Sequence, residues 1–189
     1  MPPLEPLLAE HRLIERMLHL LAQELECLKS NVAVDPEFAF VDPVFIDAAV
    51  DFLRTYADRC HHGKEELLFA ALAAKELTPG HRHLLEELTR EHVRARELTQ
   101  GLLQAKRDHL REDPGALDRL LEHLQALLDL YPRHLAKEEQ EFFLSAQEYL
   151  SPAEQEALLG RMQEFDRRLL HEKYLEMVQA YESRRACRL

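Results

Sequence analysis

The sequence is poor in the residues that favour strands, tight turns and disulfide frameworks. It has only 5 glycines in 189 residues, and it lacks runs rich in Val, Ile and Thr. Three cysteines, Cys27, Cys60 and Cys187, fit a reducing cytoplasm better than a set of disulfides. No apolar run approaches the length of a membrane span, and the N-terminus lacks the basic and apolar regions of a signal peptide. We therefore expect a cytoplasmic protein.

Helix-forming residues and negative charge are what the chain has in excess. Leu, Ala, Glu and Arg dominate, and hydrophobic residues make up 46% of the sequence. The length suffices for one domain with a sizeable core. The net charge of −11 argues against nucleic acid or an anionic membrane as a partner. The sequence predicts a single all-α domain over residues 1–189, and it does not identify a protein partner.

Prolines next to capping residues predict where the helices begin. The first helix begins near Pro6 and ends near Lys29. Three further starts are Asp42-Pro43, Thr78-Pro79 and Asp113-Pro114, and the second and third helices end near Glu76 and Arg111. Short connections favour an antiparallel up-down-up-down four-helix bundle over about residues 5–150. The capping box Ser151-Pro152-Ala153-Glu154 opens an additional C-terminal helix over about residues 152–184.

Two of these helices carry a histidine and a glutamate four residues apart. The pairs are His61 with Glu65, and His134 with Glu138. On a helix this spacing places both side chains on one face, one turn apart. Imidazole and carboxylate groups together suit iron, manganese or zinc.

Each of the first four helices has one histidine on its apolar stripe. These are His11, His61, His92 and His134. Counted from one end of an antiparallel bundle, they lie about 18 to 20 residues along, or about 27 to 30 Å, and therefore at one level. A lone histidine on such a stripe is commonly a core residue with a hydrogen bond. Four at one level beside Glu65 and Glu138 predict a metal site, because two carboxylates buried without a cation are very costly.

Helix phase separates His61 from its neighbour His62. With 3.6 residues per turn, His61 shares the apolar stripe, whereas His62 and Glu66 point toward the polar flank. Three residues stay open as further ligands or supporting groups: His62, Glu15 and Glu139.

The combined pattern resembles the hemerythrin-like, or HHE cation-binding, family. The motif consists of His11, His61-x-x-x-Glu65, Glu91-His92 and His134-x-x-x-Glu138, within about residues 5–150. The resemblance implies a non-haem centre of two iron ions, bridged by Glu65 and Glu138 and bound by the imidazoles of His11, His61, His92 and His134. Zinc or manganese could substitute for iron. The ferritin-like alternative requires Glu-x-x-His pairs, which this sequence lacks.

One position departs from the family pattern. Oxygen-carrying hemerythrins have two histidines four apart on the third helix, but Arg96 and Leu88 occupy those positions around His92. Four histidines and two glutamates would leave a coordination position open for O2, peroxide or NO. We therefore expect a sensor or an iron- or oxygen-binding module. The alternative is a di-iron redox enzyme in stress defence, peroxidase-like or directed at NO, and the sequence does not decide whether the protein is an enzyme.

Overall fold

The computed structural model describes residues 4–35, 40–166 and 171–186. These residues are helical almost throughout and hold no β-strand, which confirms the all-α prediction. None of the helices they form is both long and apolar enough to cross a lipid bilayer. In chain order the elements are α1 (Glu5–Val34), α2 (Pro43–Phe52), a first π-helical segment (Leu53–His62), α3 (Gly63–Ala73), α4 (Pro79–His109), α5 (Ala116–Lys137), a second π-helical segment (Glu138–Phe142), α6 (Phe143–Ala146), a 3-10 turn (Gln147–Tyr149), α7 (Pro152–Asp166) and α8 (His171–Ala186).

Four rods pack side by side. The first rod is α1, and the third is α4. The second consists of α2, the first π-helical segment and α3, which follow one another without a break, and the fourth consists of α5, the second π-helical segment and α6. Rod one contacts rods two and four, and rod three also contacts rods two and four. This is the neighbour pattern of a four-helix bundle, whose up-down-up-down order stays a prediction.

Side-chain hydrogen bonds cap three of the helices at their predicted starts. The Asp42 carboxylate accepts hydrogen bonds from two backbone amides in the first turn of α2, both at 3.0 Å. The Thr78 hydroxyl accepts one from the first turn of α4. Ser151 and Glu154 form the predicted capping box before α7. These contacts satisfy amides that have no partner within the helix.

Other helix boundaries differ from the prediction. Helix α1 continues past Lys29 to Val34, because no glycine or proline interrupts it before Asp35, which adopts the extended conformation expected of a residue before proline. The predicted start at Asp113-Pro114 is wrong. Gly115 takes a left-handed conformation with φ of 75°, so α5 begins only at Ala116. The second and third predicted helices stop slightly short of their expected ends.

The additional C-terminal helix is described as α7 and α8. Residues 167–170, between them, lie outside the described part of the chain, as does Cys187. Helix α7 packs against α3, and α8 packs against α1. Both therefore lie on the outside of the bundle, against its first two rods.

Two apolar clusters fill the interior, one on each side of a polar layer. On α1, Leu7 belongs to the smaller cluster and Ile14 to the larger one. On α4, Leu88 and Ala95 divide in the same way. The stripe histidines His11 and His92 lie between these residues along their helices. Each fully buried leucine or isoleucine contributes about 1.5–3 kcal/mol, so the polar layer is held between two well-packed regions.

Candidate metal centre

Five histidines and two glutamates form the polar layer. Each is at most 2% exposed. They are His11 from α1, His61 and His62 from the first π-helical segment, Glu65 from α3, His92 from α4, His134 from α5 and Glu138 from the second π-helical segment. The structure thus brings together all six residues that the sequence selected, and it adds His62.

The Glu65 carboxylate faces a different histidine with each oxygen. Its Oε1 lies 3.3 Å from Nε2 of His61, and its Oε2 lies 3.2 Å from Nε2 of His92. The first contact lies within one rod, and the second crosses from rod two to rod three. Glu65 therefore stands between two sets of imidazoles.

Glu138 repeats this arrangement from the fourth rod. Its Oε2 lies 3.4 Å from Nε2 of His11, and its Oε1 lies 3.2 Å from Nε2 of His134 and 3.9 Å from Nε2 of His92. Each of the two carboxylates therefore faces one histidine of the His11 and His61 set and one of the His92 and His134 set.

The candidate ligand atoms fall into two groups that share Glu65. The first group is His11, His61, Glu65 and Glu138, and the second is His62, Glu65, His92 and His134. Within each group, one nitrogen or oxygen of every residue lies within 4.8 Å of the others. One oxygen of Glu138 also reaches the second group through His134. This geometry fits two cations bridged by two carboxylates.

Three further carboxylates hold the outer nitrogens of the imidazoles. Nδ1 of His11 lies 2.8 Å from Glu139, Nδ1 of His61 lies 2.9 Å from Glu10, and Nδ1 of His134 lies 2.9 Å from Glu91. Such contacts place the proton on Nδ1 and leave the lone pair of Nε2 directed into the layer, as in carboxylate–histidine–metal sites.

The sequence did not predict a supporting role for two of these residues, Glu10 and Glu91, although Glu91 was part of the motif. Each directly precedes a stripe histidine on its own helix, but each contacts a histidine of a neighbouring rod. A helical residue one position before an inward-facing residue is rotated toward the neighbouring helix. A glutamate directly before a stripe histidine is therefore the sequence feature that indicates such a supporting role. Glu139, which the sequence left open, is a supporting residue of the same kind.

The prediction that His62 points toward the polar flank of its helix is wrong. It is 1% exposed, and its ring stacks on that of His92 with centroids 3.8 Å apart and planes 9° apart. The reason is the first π-helical segment, which ends at His62. A π-helical turn holds an additional residue, so the 3.6-residue phase no longer applies and adjacent histidines both enter the layer.

The donor atoms of the layer have no hydrogen-bond partner. This holds for both oxygens of Glu65 and Glu138, and for Nε2 of His11, His61, His62, His92 and His134; Nδ1 of His62 lies 3.5 Å from Asp58. Buried polar atoms are normally hydrogen-bonded, and a cluster of orphaned ones calls for a bound ion or water. The orphaned atoms are lone-pair donors of the types that bind iron, zinc or manganese, so the residues present fit a metal.

In the metal-free chain, protons on two histidines balance the buried carboxylates. Burial alone would lower the pKa of His61, but Glu65 and Glu10 raise the pKa to about 10. Burial likewise opposes the effect of Glu138 on His134, whose pKa is also raised to about 10. Burial would raise the pKa of Glu65, but the neighbouring His61 helps to lower it to about 2. Positive charge is therefore required in this layer, whether from protons or from metal.

His62 has the opposite electrostatic behaviour. Burial, and then the nearby charge of His92, lower the pKa of His62 to about 3. Its imidazole is neutral near pH 7 and needs no deprotonation before it binds a cation.

Three residues near the motif lie outside the layer. Glu15 is paired with Arg12, both at the surface. Arg96, at the position where oxygen-carrying hemerythrins have a histidine, pairs with Asp58 at 2.6 Å and Glu66 at 2.7 Å. Glu66 is therefore a surface group, and Glu15 is not part of the site.

Comparison with protein families agrees with this geometry. The family model of the hemerythrin HHE cation-binding domain matches residues 3–144, which contain every residue of the polar layer. Searches of curated proteins and of solved structures find no match to the chain. The chain belongs to the hemerythrin HHE cation-binding domain family.

Proposed function

We propose that this protein binds two metal ions in the polar layer, as a non-haem di-iron protein. Glu65 and Glu138 would be shared between the two ions. His11 and His61 would hold the first ion, and His62, His92 and His134 would hold the second. Iron is the expected metal, and zinc or manganese would fit the same donors.

One observation supports this proposal above the others. The four oxygens of Glu65 and Glu138 are completely buried, make no well-aligned hydrogen bond and face imidazole nitrogens on two sides. Two cations placed between these atoms would compensate both carboxylates, which otherwise carry a large desolvation cost.

His62 compensates for the histidine that Arg96 replaces in the family pattern. The side chain of Arg96 points to surface carboxylates, so α4 supplies only His92. His62 restores a fifth imidazole from the neighbouring rod. The second group then offers three imidazoles and the first only two, so an added small ligand would find fewer protein donors in its way at the first group.

The enclosure of the site favours a very small ligand. The candidate donor residues are at most 2% exposed, and apolar clusters cover the layer on both sides. Iron at such a site supplies a redox-active Lewis acid for O2, peroxide or NO. We propose a sensor or an iron- or oxygen-binding module, located in the cytoplasm, in which Glu10, Glu91 and Glu139 orient the imidazoles.

Metal content tests the site, with two adjacent glutamates as a matched pair. Wild-type protein expressed with iron is expected to hold about two ions per chain, because the layer offers two donor groups. Glu65→Gln removes a bridge and should lose both ions, whereas Glu66→Gln, at the surface, should keep both. Equal iron content in the two variants would show that the site is elsewhere.

Ligand titration then separates the proposed module from the alternative. Anaerobic, iron-loaded protein is mixed with O2, peroxide or NO while its absorption spectrum and the ligand concentration are followed. A spectral change with one equivalent of ligand and little turnover supports a sensor or binding module. Saturable consumption of peroxide or NO, lost in His92→Ala, would instead identify the di-iron redox enzyme.

A further inference from the structure

The last residue of α7 contacts a buried lysine in the second rod. Nζ of Lys64 donates a hydrogen bond to Oδ1 of Asp166 at 2.5 Å and a second one to Oε1 of Glu10. The Lys64 side chain is 0% exposed, whereas that of Asp166 is 39% exposed. Asp166 thus joins a fully buried ammonium group to the outer face of the protein.

The same contacts continue to the polar layer. Glu10 uses its other oxygen, Oε2, to hold Nδ1 of His61 at 2.9 Å. Nε2 of His61 in turn faces Glu65. Four side chains therefore form an unbroken polar path from the end of α7 to a candidate metal-binding nitrogen.

We infer that Asp166 is a positioning residue for the metal centre, acting through Lys64 and Glu10 on the imidazole of His61. This inference rests on the proposed metal-binding function. It assigns a role to α7, which lies beyond the family match at residues 3–144.

The charges explain why Lys64 requires both carboxylates. A buried ammonium group is costly unless it is paired and hydrogen-bonded. Within the described part of the chain, Glu10 and Asp166 are the carboxylates that contact it. Without Asp166, Lys64 would depend on Glu10 alone and pull it away from the geometry that holds His61.

Close packing fixes α7 at this place. A methyl group added to Gly63 would lie only 2.8 Å from the ring of Phe165. The thiol of Cys60 also reaches Oδ1 of Asp166, at 3.9 Å. Helix α7 therefore covers the stretch of the second rod that carries His61 and His62.

A second ion pair supplies a control for simple anchoring. Lys75, two residues after the end of α3, binds Glu154 at 2.6 Å and so also holds α7, but neither residue contacts the polar layer. Lys75→Gln weakens the attachment of α7 without interrupting the path to His61. It also leaves the capping box of Ser151 and Glu154 in place.

The experiment uses full-length protein loaded with Co(II), whose absorption spectrum reports ligand geometry. Release of the metal to a chelator is timed for wild type, Asp166→Asn, Asp166→Glu and Lys75→Gln. Asp166→Asn should release metal about tenfold faster, at the lower end of the effect of losing a supporting contact, with a changed Co(II) spectrum. Asp166→Glu should restore both properties, and Lys75→Gln should match wild type.

A double variant tests the path itself. In a Lys64→Met background, the path is already broken and no buried ammonium group remains, so adding Asp166→Asn should have no further effect on release. Additive effects on the release rate would overturn the inference. A wild-type release rate in Asp166→Asn would also overturn it, if Glu10→Ala releases metal faster than wild type. If Asp166→Asn does not fold, Lys64→Gln alone replaces it and should release metal faster than Lys75→Gln, and wild-type release from Lys64→Gln would overturn the inference. Failure of wild-type protein to bind metal would instead refute the proposed function.

Discussion

His62 and His92 lie face to face, with ring centroids 3.8 Å apart and planes inclined by only 9°. This stacking places two imidazoles of different rods in one corner of the polar layer. It also identifies the substitution that separates metal binding from packing at this position.

His62→Phe should weaken the binding of one of the two ions by more than about tenfold, because it removes a donor while keeping a flat ring against His92. Zinc affinity and stoichiometry, measured by competition with a chelator, provide the check. His19→Phe, at an exposed histidine, is the control. Two ions bound with wild-type affinity in His62→Phe would mean that His62 only fills space.

Glu91 and Glu87 form a natural matched pair. Lys137 donates a hydrogen bond of 2.6 Å to each, but only Glu91 also contacts Nδ1 of His134. Glu91→Ala should lower metal affinity by about 10- to 100-fold, the usual cost of losing the support of a ligating histidine. Glu87→Ala should not change it. Similar losses in both variants would indicate that Lys137, and not the contact with His134, is what matters.

The affinity for metal should increase with pH. His61 and His134 have pKa values of about 10 in the metal-free fold and must lose their protons to bind metal. Displacing two protons corresponds to about 100-fold tighter binding per pH unit between pH 7 and 9. Zinc affinity at pH 7, 8 and 9 measures this slope, and a flat profile would contradict the assignment of these two histidines.

The stability of the metal-free protein should follow the opposite trend. Folding raises the pKa of both histidines above the ordinary value of 6.5, so their contribution is fully present below about pH 6.5 and is lost as the pH rises through about 10. Thermal unfolding of the metal-free and zinc-loaded forms across this range should show a widening gap. His61→Gln should flatten the trend of the metal-free form.

The helix cap at Asp42 offers a test of the fold that is independent of metal. Asp42→Ala removes the acceptor for two amides of α2 and should lower the free energy of unfolding by about 1 kcal/mol. Asp42→Ser keeps a capping oxygen and should lose less. Denaturant unfolding measures both, and the metal content of the two variants should remain that of wild type.

The regular helices made most of the polar layer predictable. His11, His92 and His134 lie in α-helices, where a 3.6-residue period and a rise of 1.5 Å fix both face and level. The same reasoning selected His61 but rejected His62. The first π-helical segment changes the helical phase of the side chains, and no residue type in that segment predicts the change. Contacts such as Glu10 with His61 depend on how two rods are rotated against each other, which periodicity within one helix cannot supply.

The layer is assembled from parts of the chain that are far apart. His11 and Glu139, which share a hydrogen bond, are 128 positions apart. The first and fourth rods must therefore be in place before the full set of donors exists, and an unfolded chain offers a metal only local pairs such as His61 with Glu65. An ion that binds the native state in this way shifts the folding equilibrium by mass action, by about 4 kcal/mol at a free concentration 1,000 times the Kd. Cells short of metal would accordingly hold a less stable protein, and its abundance would report the supply of the ion.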